Sequence, residues 1–305
     1  VTTWLLAGAS GFLGTALRVQ LATDGDEVVR LVRREPAALA ERRWDPARGE
    51  LDPAVLDGVD AVVDLAGAPA FTGLWTQARR EAILSSRVET TSTLARALAT
   101  RGADAPVLVQ AGGISFYGGR RTETPHTEAD PVAPDFFAQV CARWEEAAQP
   151  AVDAGGRVVF LRTSPVLDRS GGPFLPMRLA WGAGLGTVLG DGTQRMPLIS
   201  LADYLGVVRW AASTPHARGP YNLTIPQPCT NAEFTDALAR ALHRPRLLKA
   251  PAAVLRTALG ELSGQLLNDM WVLPQRLLDD GYVFQAPDVT STVATALRGV
   301  PTAAA

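Results

Sequence analysis

Residues 4–14 read Trp4-Leu5-Leu6-Ala7-Gly8-Ala9-Ser10-Gly11-Phe12-Leu13-Gly14, an apolar run that breaks into three glycines spaced three apart. A buried strand, a glycine turn and a helix start, in that order, form the geometry that binds a dinucleotide pyrophosphate. Gly8 allows the tight turn and Gly11 lets the backbone approach the phosphates. Gly14 lets the new helix lie close to the sheet. Ser10, Phe12 and Leu13 belong to the same loop and first helical turn, whose unpaired N–H groups and partial positive charge face the ligand.

Outward from this stretch the first half of the chain alternates strand and helix. Val28–Val32 is a short apolar strand, and Pro36–Arg43 reads as a short helix. Ala61–Leu65 is a third strand. Apolar positions fall at helical spacing from Thr76 to Thr100. Val107–Ala111 is a fourth strand, Phe136–Ala154 a helix and Arg157–Leu161 a fifth strand. Such strand–helix units predict an α/β fold: a Rossmann-type, doubly wound parallel sheet with helices on both faces. Residues 1–167 form the expected dinucleotide-binding domain.

The pattern then changes. Gly171–Gly192 is rich in glycine and reads as a loop segment over a cleft. Residues 196–214, with the helical stretch Leu201–Ser213, return to the first domain. The short strand Tyr221–Thr224 extends the region that crosses back. Asn231–Leu242 reads as a helix that begins at an Asn cap. Residues 168–195 and 215–300 form a smaller, mostly helical C-terminal substrate domain, and 301–305 a frayed tail.

With 305 residues and a net charge of −2, the chain has ample length for a core and carries no basic stripe, so nucleic acid is not an expected partner. The two cysteines, Cys141 and Cys229, read as small buried hydrophobes. His126, His216 and His243 are isolated and read as surface residues. No Cys/His cluster indicates a metal. With no signal-like segment and no membrane-length apolar run, a cytoplasmic protein with no membrane partner is expected.

Three further segments carry chemistry. Arg33-Arg34 follows the second strand, where the adenosine ribose sits in dinucleotide folds. An acid there accepts from the 2′-hydroxyl of NAD, whereas arginine pairs with the 2′-phosphate of NADP. No acid ends the strand, and Glu35 follows the pair, so NADP(H) is the expected cofactor. Leu65-Ala66-Gly67 ends the third strand beside the adenine and ribose. Ala111-Gly112-Gly113-Ile114-Ser115-Phe116-Tyr117-Gly118 ends the fourth, so Ser115 and Tyr117 are candidates to face the nicotinamide or a small-molecule substrate. Ser85, Ser86 and Ser200 lack a nucleophile elbow, which argues against a serine hydrolase.

The chain resembles the YfcH-like epimerase family, atypical extended short-chain dehydrogenase/reductases whose C-terminal portion is the DUF1731 domain. The resemblance rests on the glycine stretch, Leu65-Ala66-Gly67-Ala68-Pro69, Trp75-Thr76-Gln77-Ala78-Arg79 and Ser86-Arg87-Val88-Glu89-Thr90-Thr91. It continues through Phe116-Tyr117-Gly118, Val140-Cys141-Ala142-Arg143-Trp144-Glu145, Leu161-Arg162-Thr163, Gly219-Pro220-Tyr221-Asn222-Leu223-Thr224 and Leu273-Pro274-Gln275-Arg276-Leu277. It implies a Rossmann fold, NADP binding and a small C-terminal domain that closes over the substrate. It adds Arg87, Ala111 and Pro165 to the cofactor contacts, and a homodimer formed through the helices near 76–100 and 135–154.

Departures from the family pattern bear on catalysis. Ordinary short-chain dehydrogenases use a Tyr-x-x-x-Lys pair on the helix that begins here at Phe136. Aligned by the Trp144-Glu145 that follows, those places fall at Ala138 and Ala142, and neither moves a proton. Gly112 or Gly113 replaces the usual hydroxyl residue of the fourth strand. The family's Trp-Ile-His reads Leu198-Ile199-Ser200, and its Leu-Pro-Lys-Arg reads Leu273-Pro274-Gln275-Arg276. The sequence thus predicts an NADP(H)-binding oxidoreductase or epimerase with a non-standard acid/base, drawn from Tyr117, Ser115 and Ser200. The alternatives are a non-redox isomerase, dehydratase or cyclase on the same scaffold, and an inactive NADP(H) sensor.

Overall fold

The computed structural model describes residues 1–70, 75–184, 186–244, 248–253, 257, 264 and 267–300. The expected frayed tail, 301–305, and parts of the expected substrate domain lie outside the described residues.

Seven strands form one sheet: β1 (Thr3–Ala7), β2 (Glu27–Val32), β3 (Glu41–Arg43), β4 (Ala61–Asp64), β5 (Val107–Gly113), β6 (Val158–Thr163) and β7 (Gly219–Leu223). Their spatial order is β7-β6-β5-β4-β1-β2-β3 and every pairing is parallel. The central strands β1, β4, β5 and β6 read as near-continuous apolar runs because both faces are covered. Successive side chains serve opposite sides. Leu6, Val63 and Val109 pack with Leu17 and Leu21 of α1 (Phe12–Thr23) and Tyr204 and Val208 of the later helix Leu201–Ser213. Leu5, Val62 and Leu108 pack with Leu94 and Leu98 of α2 (Gln77–Ala99). The chain winds outward from β1 to β3, then from β4 to β7. The crevice between β1 and β4 is therefore the point where a ligand lies against the carboxyl ends of the strands.

Three local expectations need correction. Pro36–Arg43 is not a helix; its last residues are β3, paired with β2 at Arg30↔Glu41. The Glu41 carboxylate accepts from Ala37 N (2.7 Å) and Arg34, which fixes the intervening turn by tertiary contacts that local propensity does not encode. The single helix expected over Phe136–Ala154 is two, α3 (Phe136–Glu146) and α4 (Gln149–Asp153). Pro150 lacks an N–H and its ring excludes the carbonyl four residues earlier. Gly171–Gly192 contains α5 (Phe174–Gly182), whose Phe174 and Trp181, seven apart, are buried on one side.

After β6 the chain leaves the sheet, runs through α5 and α6 (Leu201–Ser213), and returns as the edge strand β7. Arg157 ties this return down by donating to the carbonyls of Ala211 (2.7 Å), Ala212 (2.7 Å) and Thr214 (3.0 Å) at the end of α6. α7 (Asn231–Ala241) starts one residue earlier than the sequence reading. Its cap is Thr230, which with Glu233 forms a capping box. Asn231 instead accepts from Leu189 N (2.9 Å). Following α8 (Gln275–Asp279), α9 (Val289–Arg298) joins α5 and α7 around Phe174, Trp181, Phe234, Leu238 and Val293.

Candidate functional site

Gly8 follows β1 with φ +76°, and a Cβ there would lie 2.6 Å from the Leu65 carbonyl carbon. A Cβ at Gly14 would lie 2.3 Å from the Gly8 carbonyl oxygen, so only glycine lets α1 start against the turn. A Cβ at Gly11 meets nothing closer than the Gly8 carbonyl oxygen at 3.6 Å. Glycine at this position leaves open space above the turn. No side chain caps α1, whose N-cap is Gly11. Its first-turn N–H groups are thus available to an anion.

A groove of about 880 Å³ lies above this turn. Of the sequence candidates, Gly8, Ser10, Gly11, Arg33, Arg34, Leu65, Ala66 and Gly67 line it. Phe12, Leu13 and Gly14 stand behind the turn, and the Phe12 ring is packed by Gly171 and Gly172. Arg87, Ala111 and Pro165 are not in its lining. Arg87 donates to the carbonyls of Ala68 (3.0 Å) and Ile83 (2.9 Å) and stacks on Trp144 at 4.9 Å, so it shapes the loop after β4. Ala111 is a buried strand residue, and the exposed Pro165 accepts from Ile199 N.

Glu41 is the groove residue that strand-end reading missed. It is nearly fully buried, yet it lies in the wall beside Arg34. Arg34 donates to it through Nη1 (2.8 Å) and Nη2 (2.7 Å), and Arg30 lies 3.0 Å away. The Arg34 fork, with help from Ala37 N, pulls its pKa down to about 2. Only the β2–β3 pairing brings it there, and no local sequence signal marks it. Arg18 also lines the groove and braces the Ala9 carbonyl.

A second cavity, of about 290 Å³, opens past the end of β5. Its wall includes Ser115, Trp75, Arg80, Arg120, Phe136 and Phe137. Ser115 is half-buried with no hydrogen bond to its hydroxyl among the described residues. The other two catalytic candidates are used inside the protein. Tyr117 is 4% exposed; its hydroxyl accepts from Arg162 Nη1 (2.8 Å) and donates to Asn222 Oδ1 (2.7 Å). Burial pushes its pKa up to about 12, so it is no base at neutral pH. Its ring stacks on His126 at 5.1 Å, which makes that histidine a packing residue rather than a free surface group. Ser200 is buried as the cap of α6; it donates to Asp203 Oδ2 (2.7 Å) and accepts from Asp203 N.

The α3 register also needs correction. The residues that face the end of β5 are Phe137, in the cavity wall, and Cys141, whose Sγ would lie 3.0 Å from a Cβ at Gly113. They sit four apart, as a Tyr-x-x-x-Lys pair would, and replace Ala138 and Ala142 in that reading. Burial raises the Cys141 thiol to about 12 and keeps it neutral. Gly113, Phe137 and Cys141 therefore offer no proton carrier at this corner.

The geometry agrees with known proteins. Residues 4–224 match the NAD dependent epimerase/dehydratase family, and residues 250–296 match the DUF1731 domain. The chain is 39% identical to epimerase family protein Mb2239 of Mycobacterium bovis over 280 residues, which covers 92% of each chain. A crystal structure of human epimerase family protein SDR39U1 (isoform 2) with NADPH has a TM-score of 0.87 and 31% identity, covering 98% of this chain and all of that one. The nucleoside-diphosphate sugar epimerase from Corynebacterium glutamicum follows at TM-score 0.78 and 32% identity, covering 97% of this chain and 58% of that one. The chain belongs to the NAD dependent epimerase/dehydratase family and carries a C-terminal DUF1731 domain.

Proposed function

We propose that the chain binds NADP(H) in the groove over Gly8–Gly14 and acts as an oxidoreductase or epimerase on a small-molecule metabolite held in the adjoining cleft. The observation that carries this reading is one convergence: the glycine turn, the uncapped start of α1 and the cationic Arg33 line a single groove. Arg33 makes no hydrogen bond or ion pair among the described residues, so its guanidinium is available to a 2′-phosphate. The human relative solved with NADPH supports the same cofactor here.

Bound NADP(H) supplies hydride exchange at its nicotinamide. The protein's part is positioning. The α1 N-terminus holds the pyrophosphate and Leu65–Gly67 lie along the adenosine half. Phe137 and the neutral Cys141 put groups that carry no proton at the corner past β5. Ser115 offers a hydroxyl that can donate to an oxygen of the substrate, an electrostatic role rather than a base. Residues 168–195 and 215–300 would supply the substrate-binding cap, apart from β7 in the sheet and Leu277 of α8, which packs in the sheet's core. The lack of a proton carrier at Gly113, Phe137 and Cys141 favours a second reading, a non-redox isomerase, dehydratase or cyclase, or a sensor of NADP(H). Native mass spectrometry of the purified protein identifies the metabolite it retains. Either deuterium transfer from C4-labelled NADPH to that metabolite or transient reduction of bound NADP+ during turnover is the expected result; chemical change with neither favours the second reading.

A further inference from the structure

The two arginines after β2 are not equivalent. Arg34 spends Nη1 and Nη2 on the two oxygens of Glu41, and Nη1 also donates to the Glu35 carbonyl (2.8 Å). Most of its donor fork is therefore directed inward, although its side chain is 58% exposed. Arg33, also exposed, has no such partner among the described residues. Both line the groove together with Glu41 and Arg30. Glu35 is paired with Arg43 on the outer surface and so does not neutralise Glu41's neighbours.

A carboxylate on this wall would ordinarily choose the other cofactor. It accepts from a ribose 2′-hydroxyl and repels a 2′-phosphate. Here the carboxylate is present, but its oxygens already take the Arg34 fork and the Ala37 N–H, with Arg30 beside them. The wall is built like an NAD site whose acid has been neutralised.

We propose that Arg33 alone holds the adenosine 2′-phosphate directly, and that Arg34 is a positioning residue that sets cofactor choice by neutralising Glu41. The inference rests on the groove being the NADP(H) site. It differs from a two-arginine clamp, in which Arg34 touches the phosphate and Glu41 merely orients it.

A binding cycle separates the two. Dissociation constants for NADPH and NADH are measured by fluorescence titration for the parent, Arg33→Ala, Arg34→Ala, Glu41→Gln and Arg34→Ala/Glu41→Gln. Arg34→Ala should weaken NADPH on the order of tenfold while leaving NADH unchanged or tighter. The double variant should recover NADPH affinity to within about threefold of the parent. Glu41→Gln alone should keep or tighten NADPH. Arg34→Lys, which preserves the charge and loses the fork, should retain the preference, and it keeps the test open if Arg34→Ala does not fold. A double variant no tighter than Arg34→Ala, or a Glu41→Gln variant as weak as Arg34→Ala, overturns the proposal in favour of the clamp. If Arg33→Ala leaves NADPH binding untouched, the Arg33 assignment falls; the groove assignment itself fails only if Gly11→Phe, which fills the open space above the turn, leaves both cofactors bound as in the parent.

Discussion

Tyr117 lies just past β5, where a nicotinamide-facing group belongs, but its hydroxyl is committed to Arg162 and Asn222. Replacement by Phe leaves two buried polar groups short of a partner. Tyr117→Phe should therefore lower stability by about 1–3 kcal/mol in urea unfolding, with NADPH affinity unchanged. Asp64, at the end of β4, behaves differently. It accepts from Ala66 N and Thr91, yet burial raises its pKa from 3.8 to about 6. A raised carboxyl binds its proton more tightly when folded, so ionising it opposes folding. The penalty is absent below about pH 4, grows between about pH 4 and 6, and stands at about 3 kcal/mol above that. Asp64→Asn should flatten the stability profile over this window and raise the melting temperature at pH 8; a profile as steep as the parent's would remove Asp64 from that role.

At the level of elements, β1, α1, β4 and β5 were legible in the sequence because glycine spacing and unbroken apolar runs are local signals. β3 was not. Glu41-Arg42-Arg43 carries no strand pattern and becomes a strand through its pairing with Arg30–Val32. With β3 hidden, Glu41 was hidden too, and Glu35 was the one acid read beside Arg33-Arg34. The α3 register failed for a related reason: which of two adjacent residues faces the sheet depends on how the helix is rolled, and Gly113 against Cys141 sets that. α3 is also clamped to β6. Arg162 donates to both oxygens of Glu145 (2.7 and 2.9 Å) and lies 3.5 Å from the Phe116 ring centroid. Arg162→Ala strands a largely buried carboxylate and should cost about 3–5 kcal/mol. Chemical denaturation reads this; a loss below about 1 kcal/mol would show the pair to be a surface-type contact.

Across the whole molecule, one sheet carries two openings at its carboxyl ends. The groove over β1, β2 and β4 is built mainly from backbone and arginine, and the cleft past β5 from aromatic rings, two arginines, Ser115 and Asp135. The first was largely readable from the glycine triplet and the two arginines. The second was not, because it is assembled from residues of α2, α3 and the loops after β5, far apart in sequence. No described helix is long and apolar enough to cross a membrane. The asymmetry between an intact groove and a cleft without the usual proton carriers makes cofactor binding the central claim. Isothermal titration of the parent and Arg33→Ala with NADPH and NADH tests it most directly. The parent should prefer NADPH by at least about tenfold, and Arg33→Ala should abolish the preference without weakening NADH, as expected for loss of a charge-assisted contact of about 1.5–3 kcal/mol. Equal affinity of the parent for both cofactors, or a preference that survives in Arg33→Ala, would contradict it.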